Sequence, residues 1–325
     1  MKKLFIIAAA ASVTLASCVK NEPVATVEQG DLITFEAPVV APATKAEPTA
    51  LPTSETFVVW AHPTAAVWGT GSTLGAVYMD GVEVSYQTDV WKAKEGKYFW
   101  PKSGYLQFSA YTPKVEDTGF VAAVDNNGIT FTDYVANNAA ARDLMFSERA
   151  YDKQGNDVEI VFNHALSAIN FTFVKTTTDA NFTIKSVAIT NVGSKSSFDQ
   201  NLVVAAGALT TTAAAWTTPT APLTYSVYAD GSFAVPSAAG APALTEWYLI
   251  PQAFAAESTA AIVVTYTQAG FGTTEFTATH KLAGSAWEIG KRYTYNVSFG
   301  ATEIQFAPVE TEWKAGTINP QPTIQ

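Results

Sequence analysis

The chain has 325 residues, 48% hydrophobic and only 15% charged, a composition that can bury a large core and that excludes global disorder. Its net charge of −10, with 19 Lys and Arg against 29 Asp and Glu and no basic cluster, argues against nucleic acid as a partner. The single cysteine rules out an intrachain disulfide framework and a multi-cysteine zinc site. The arginines, Arg142, Arg149 and Arg292, are few for an enzyme that clamps phosphates or carboxylates.

Lys2 and Lys3 form a positive n-region, and residues 4–11 an apolar h-region too short to span a bilayer. Leu15-Ala16-Ser17-Cys18 then resembles a lipoprotein box. The reading is a signal peptide over 1–17, cleavage before Cys18 and diacylglyceryl transfer to its thiol. The alternative is an ordinary signal peptide with an incidental cysteine; the only cysteine of the chain standing at that position favours lipidation. Residues 18–54 are rich in Pro, Ala, Thr and Glu and read as a tether. One island interrupts it at 31–39, where Ile33 and Phe35 alternate with Thr34 and Glu36 as in a strand. Pro38 confines this strand to an edge or to its own end. Ala43-Thr44-Lys45-Ala46 follows as a loop with one isolated base.

From Phe57 onward the pattern is almost entirely β. Residues 57–61 form a compact apolar strand, and Asp80-Gly81 between two β-prone runs predicts a hairpin. Residues 105–111 alternate, with Leu106, Phe108 and Ala110 on one face. A short strand is expected at 129–132 and one short helix within 134–148, around Ala139 to Ala141. The polar, Gly-containing run at 152–157 is the best break in the chain. It divides an N-terminal β-sandwich over 55–155 from a C-terminal one over 156–325.

The second half restarts at 158–162. Over 166–174, Ile169, Phe171 and Phe173 share a face. The stretch 182–189 changes phase at Lys185-Ser186, which predicts a β-bulge. Residues 206–222 are low-complexity Ala, Thr and Pro and read as a long loop. Strands follow at 246–251, at 262–266 and 276–282 as a hairpin around Gly270 and Gly272, at 292–299 with Tyr293, Tyr295, Val297 and Phe299 on one face, and at 303–307. The spacing fits antiparallel sandwiches.

Few residues of the chain fall into patterns that carry chemistry. No Gly-rich phosphate loop and no Gly-x-Ser-x-Gly elbow occurs, so no cofactor and no catalytic residue is expected. His62, His164 and His280 read as structural. Carboxylates are plentiful, yet the sequence singles out no pair for glycoside hydrolysis. Of the tryptophans, Trp60, Trp100, Trp247, Trp287 and Trp313 lie in or beside strand patterns and favour the core. Trp68, Trp91 and Trp216 sit in less regular stretches and are the candidates for exposed, sugar-stacking rings. Three Asn-x-Ser/Thr acceptors, at Asn170, Asn181 and Asn296, fall in or at the start of strands and are discounted.

An ordered set of segments resembles the fimbrillin family, the Mfa-like pilins and related lipoproteins of Bacteroides-type bacteria. It runs from the lipobox through Ile33-Thr-Phe35, Ala43-Thr-Lys-Ala46, Tyr98-Phe-Trp-Pro101 and 106–113. It continues through Ile160-Val-Phe-Asn-His-Ala-Leu166, Trp247-Tyr-Leu-Ile-Pro-Gln252, Trp287 to Tyr295, and Ile304-Gln-Phe306 to Trp313. The resemblance implies two tandem transthyretin-like β-sandwich domains and no enzymatic activity. It implies a lipoprotein of the outer membrane, displayed at the cell surface in a fimbrium whose partners are other fimbrial subunits, its own copies or accessory ones. It also implies assembly: a protease cuts after a basic residue behind the first strand, and a strand from another subunit replaces the one removed. On this chain the removable strand is 31–39, with Ile33 and Phe35, and the cut falls between Lys45 and Ala46. Lys45 stands where the family usually carries arginine, so either a lysine-tolerant protease acts or this member is never cut, as for an anchor or a terminal subunit. The donor falls in 301–325, with Ile304, Phe306, Val309 and Trp313; the same stretch reads equally as the last strand of the second domain with a frayed tail. The alternative function is a surface lipoprotein or fimbrial tip adhesin that binds a host or bacterial glycan through exposed aromatic rings.

Overall fold

The computed structural model describes residues 30–41, 49–116, 119–136, 142–205, 208–211, 214–238 and 246–313, and it is all-β. In chain order the strands are β1 (Val39–Val40), β2 (Thr49–Ala50), β3 (Thr56–Thr64), β4 (Met79–Gln87), β5 (Val90–Ala93), β6 (Tyr105–Thr112), β7 (Val121–Asp125), β8 (Gly128–Val135), β9 (Met145–Ser147), β10 (Ala150–Lys153) and β11 (Val161–His164). They continue with β12 (Ser167–Lys175), β13 (Phe182–Asp199), β14 (Leu202–Ala205), β15 (Ala208–Thr211), β16 (Ala215–Trp216), β17 (Thr220–Tyr228) and β18 (Phe233–Ala234). The last are β19 (Trp247–Leu249), β20 (Gln252–Ala253), β21 (Ala261–Gln268), β22 (Glu275–Lys281), β23 (Ala286–Trp287), β24 (Lys291–Phe299) and β25 (Ile304–Glu312).

The first sheet has the order β2-β1-β11-β9-β6-β3-β4-β5, with β10 also on β6. Alternation along β3 sends Phe57, Val59 and Ala61 to one face and Val58 and Trp60 to the other, and both faces are buried. One core holds Ile33, Phe35, Phe57, Trp91, Phe108 and Phe162. The opposite face packs Trp60, Tyr111 and Phe146 against Phe131 and Phe198 of another sheet. This double burial explains why β6 is buried at nearly every position and not on one face alone.

A four-stranded sheet, β19-β12-β24-β25, faces a larger one, β22-β21-β13-β8-β7, in which β16, β17 and β18 also pair with β13. Ile169, Phe171 and Phe173 of β12 and Tyr293, Tyr295, Val297 and Phe299 of β24 meet Ile184, Val187, Ile262 and Val264 in one core. The 18-residue β13 belongs to both halves of the molecule. Its start pairs with β21, and its end pairs with β8 from Lys195 to Asp199. Its register shifts between Ile184 and Ser186, at the predicted bulge.

Three expectations are corrected. Asp80-Gly81 is no hairpin turn: both residues lie inside β4, where the register to β3 shifts opposite Trp60 and Gly81 takes φ 60°. A bulge and a tight turn demand the same positive-φ glycine, and Trp60 Nε1 donating to Asp80 Oδ1 at 3.1 Å fixes the bulge. The turn is at Thr88 and Asp89, both at positive φ. The stretch 206–222 carries β15, β16 and the start of β17. The break expected at 155/156 is not where the sheets divide. Phe162 and His164 still pair with β9 in the first sheet, and β12 opens the four-stranded sheet at Ser167; the turn at 152–157 only links β10 to β11. Around the expected helix, 134–135 end β8 and 145–147 form β9, while 139–141 lie outside the described residues.

Candidate functional site: the seat of the first strand

The segment 31–39, expected as one strand, is regular strand only from Val39 in β1; upstream, isolated bridges from Leu32 to Phe99 and from Phe35 to Trp91 and Val158 hold it extended between two segments distant in sequence. On one side Ile33 N donates to Tyr98 O (2.8 Å), Phe35 N to Trp91 O (2.9 Å), and Trp100 N to Asp31 O (2.9 Å). On the other, Glu36 N donates to Val158 O (3.1 Å), Val158 N to Thr34 O (2.9 Å), Val39 N to Ile160 O (3.1 Å) and Ala41 N to Phe162 O (2.7 Å). Val39 and Val40 run parallel to Val161 and Phe162 of β11 and antiparallel to β2. The segment thus joins the β5 end of the sheet to its β11 side. The Thr34 hydroxyl donates to Asp157. Gly30 is required at the entry, because a Cβ there would overlap the Trp100 carbonyl oxygen.

The side chains follow the pleat. Ile33 and Phe35 are each 2% exposed and Val40 1%, while Asp31 and Glu36 face solvent. The Phe35 ring sits edge-on to Phe57 (centroids 5.3 Å apart) and Phe108 (5.9 Å). Phe57 in turn meets Trp91 and Phe162, and Trp100 meets Phe108 edge-on. The site is therefore a slot for an extended peptide, built from backbone hydrogen-bonding groups and aromatic pockets. Among the described residues no group of three or more His, Cys, Asp or Glu is arranged to hold a metal ion.

The other expected site residues are dispersed. Cys18, Lys45 and Ala46 lie outside the described residues. Ile304, Phe306 and Val309 belong to β25, which pairs with β24 from Phe299↔Ile304 to Lys291↔Glu312 as the edge of the four-stranded sheet. Ile304 and Phe306 are half-buried against the core, Val309 is exposed, and Trp313 is buried. Within this chain, 304–312 is thus the last strand of its own sandwich.

The glycan-stacking rings are corrected. Trp91 is 2% and Trp68 9% exposed. Trp91 packs on Phe57 and Tyr86, and Arg149 lies over Trp68 at 5.0 Å. Trp216 is half-buried and its Nε1 donates to Ala165 O at 2.6 Å. The histidines pack internally: His62 Nδ1 lies 3.0 Å from Gly75 O, His164 pairs with Asp143, and His280 stacks on Phe306.

One signal in the sequence was missed. Ile33-Thr-Phe-Glu-Ala-Pro-Val39 and Ile304-Gln-Phe-Ala-Pro-Val309 share Ile-x-Phe and Ala-Pro-Val, with Glu36 as the one extra residue. The strand that fills the slot and the strand at the far end of the chain carry nearly the same pattern.

The model of a family described as fimbrillin-like matches residues 44–317, beginning just beyond the inserted segment. A fimbrial protein from Bacteroides vulgatus superposes with a TM-score of 0.55 at 18% identity, covering 87% of this chain and 99% of that one. Candidate cell-adhesion proteins from Bacteroides ovatus (TM-score 0.54, 15% identity, 89% and 99% covered) and Bacteroides uniformis (0.52, 18%, 87% and 98%) share the fold. No curated protein matches the sequence.

Proposed function

This chain belongs to the fimbrillin-like family, and from that premise we propose that it is a structural subunit of a bacterial surface fimbria, joined to its neighbours by strand exchange. The two layered halves are then the tandem transthyretin-like sandwiches that the family resemblance implies. Cys18 carries the lipid that holds the precursor at the outer membrane. A protease that accepts lysine cuts between Lys45 and Ala46, and the segment that includes 31–39 leaves.

The observation that carries this reading is the slot itself. Removing the segment would leave at least eight backbone groups unpaired, on Leu51, Trp91, Tyr98, Trp100, Val158, Ile160 and Phe162, beside uncovered pockets for Ile33, Phe35 and Val40. Buried polar backbone groups require partners, and only another extended chain supplies them in that order. The recurrence of Ile-x-Phe and Ala-Pro-Val at 304–309 supports this stretch as the donor: Ile304 of a second copy would enter the Ile33 pocket, Phe306 the Phe35 pocket, and Val309 would lie beyond the one-residue offset. A tip role that relies on exposed tryptophans has no such support, since Trp68 and Trp91 are buried.

Brief trypsin treatment of the purified mature protein tests the reading. The new N-terminus is expected at Ala46, followed by a ladder of oligomers. Resistance at Lys45, or cleavage with the protein remaining monomeric, removes it.

A further inference from the structure

Where the first sheet meets the four-stranded one, an aromatic and polar cage closes around the residue that follows β25. The Trp313 ring, 1% exposed, lies flat between His164 (centroids 3.8 Å apart, planes 7° apart) and Tyr248 (5.2 Å, 8°). The Arg292 guanidinium is 5.9 Å from the ring centroid. Arg292 Nε and Nη2 donate to the two carboxylate oxygens of Glu246 at 2.6 and 3.2 Å, and Asn170 Nδ2 donates to the same carboxylate at 2.6 Å. Trp313 N donates to Gly290 O at 3.1 Å.

The cage is under-satisfied. His164 Nδ1 meets Asp143 Oδ2 at 2.8 Å, yet His164 Nε2 and Asp143 Oδ1 are buried without a partner. Burial also pushes the Asp143 carboxyl above the usual carboxylate range, against the pull of His164. A buried polar atom without a partner costs free energy that access of water would recover. The stack on His164 is therefore set beside groups that would gain from an opening, which suits a latch better than a permanent core.

His164 is the last residue of β11, and β11 also seats the first segment through Val39↔Val161, Val40↔Phe162 and the Ala41–Phe162 hydrogen bond. One strand thus carries a wall of the Trp313 cage and a wall of the slot. We propose that Trp313 is a positioning residue that couples the two ends of the chain. While its ring fills the cage, β11 is held and the slot stays closed around 31–41. When 31–41 leaves, β11 loses a hydrogen-bonded neighbour, the His164 wall loosens, and β25 is freed. Such coupling is reciprocal and travels through packed elements with two arrangements. The inference rests on the assembly reading only for its use there: opening of the slot would license release of the donor, so that donors do not appear before acceptors.

Hydrogen exchange read by mass spectrometry on the full mature chain tests this, comparing the natural protein with Trp313→Ala, Trp313→Phe and Phe35→Ala. Peptides from 182–190, in the second core, report global unfolding. Relative to them, Trp313→Ala is expected to raise exchange on the order of fivefold or more at 304–312 and also at 158–164 and 31–41. Phe35→Ala is expected to raise it at 304–312, and Trp313→Phe, which keeps a stacking ring, to stay near the natural protein. A rise confined to the mutated end, or a rise at 304–312 no larger than that at 182–190, overturns the coupling. If Trp313→Ala does not fold, the response of 304–312 to Phe35→Ala decides the matter. Failure to form a ladder after trypsin would remove the assembly reading and leave these exchange rates standing.

Discussion

Replacing Phe35 by alanine removes the ring that anchors the first segment, and the structure fixes what that should cost. The side chain is 2% exposed and makes two edge-on aromatic contacts, with Phe57 and Phe108. Burial of such a side chain contributes about 1.5–3 kcal/mol, and each aromatic pair adds roughly 0.5–1.5 kcal/mol. Core Phe→Ala substitutions independently cost about 3–5 kcal/mol, because the cavity only partly collapses. The two routes agree on a loss near 4 kcal/mol. Urea unfolding followed by circular dichroism should show it as a midpoint lowered by about 2 M, for an m-value near 2 kcal/mol/M. Val309→Ala serves as the internal comparison: its side chain is 45% exposed, and the change should stay within about 0.5 kcal/mol. If Phe35→Ala stays within about 1 kcal/mol of the natural protein at an unchanged m-value, the ring is not part of the core. The slot argument then loses its foundation.

Two further outcomes follow from burial. Trp91→Ala and Trp68→Ala should each destabilise the fold by about 3–5 kcal/mol without a selective loss of glycan binding, as read by urea unfolding alongside a glycan array; unchanged stability with lost sugar binding would restore the adhesin reading. Burial pushes the Tyr295 hydroxyl up to about 12, and those of Tyr225, Tyr248 and Tyr293 higher still. A folded pKa raised above the unfolded value of about 10 gives stability that is complete below that pH and lost as pH rises through the folded value. Urea midpoints should therefore fall steeply between about pH 10 and 12, and Tyr295→Phe should lessen the slope; a flat profile to pH 12 contradicts the burial of these hydroxyls.

Features set by neighbours in sequence were legible from the sequence. The alternation of Tyr293, Tyr295, Val297 and Phe299 puts those four side chains in the core, because the period of a strand is a local property. The phase change at Lys185-Ser186 marks a bulge for the same reason. Asp80-Gly81 misled, since a positive-φ glycine serves a turn and a bulge alike, and only the register of β3 against β4 tells them apart. Trp91 misled because an irregular local pattern does not reveal that Phe57 and Tyr86 will close over it. A strand at 31–39 could be read from Ile33 and Phe35. Its two neighbours, 91–100 and 158–162, could not, since main-chain hydrogen bonds carry no sequence signature of their partner. Local patterning suffices to read an all-β chain and the side chains that turn inward along its regular strands. The tertiary structure alone decided that the first strand fills a slot bonded on both sides, and that Trp313 closes a cage on the strand forming one wall of it. Both depend on contacts between residues more than fifty positions apart, which no local pattern encodes.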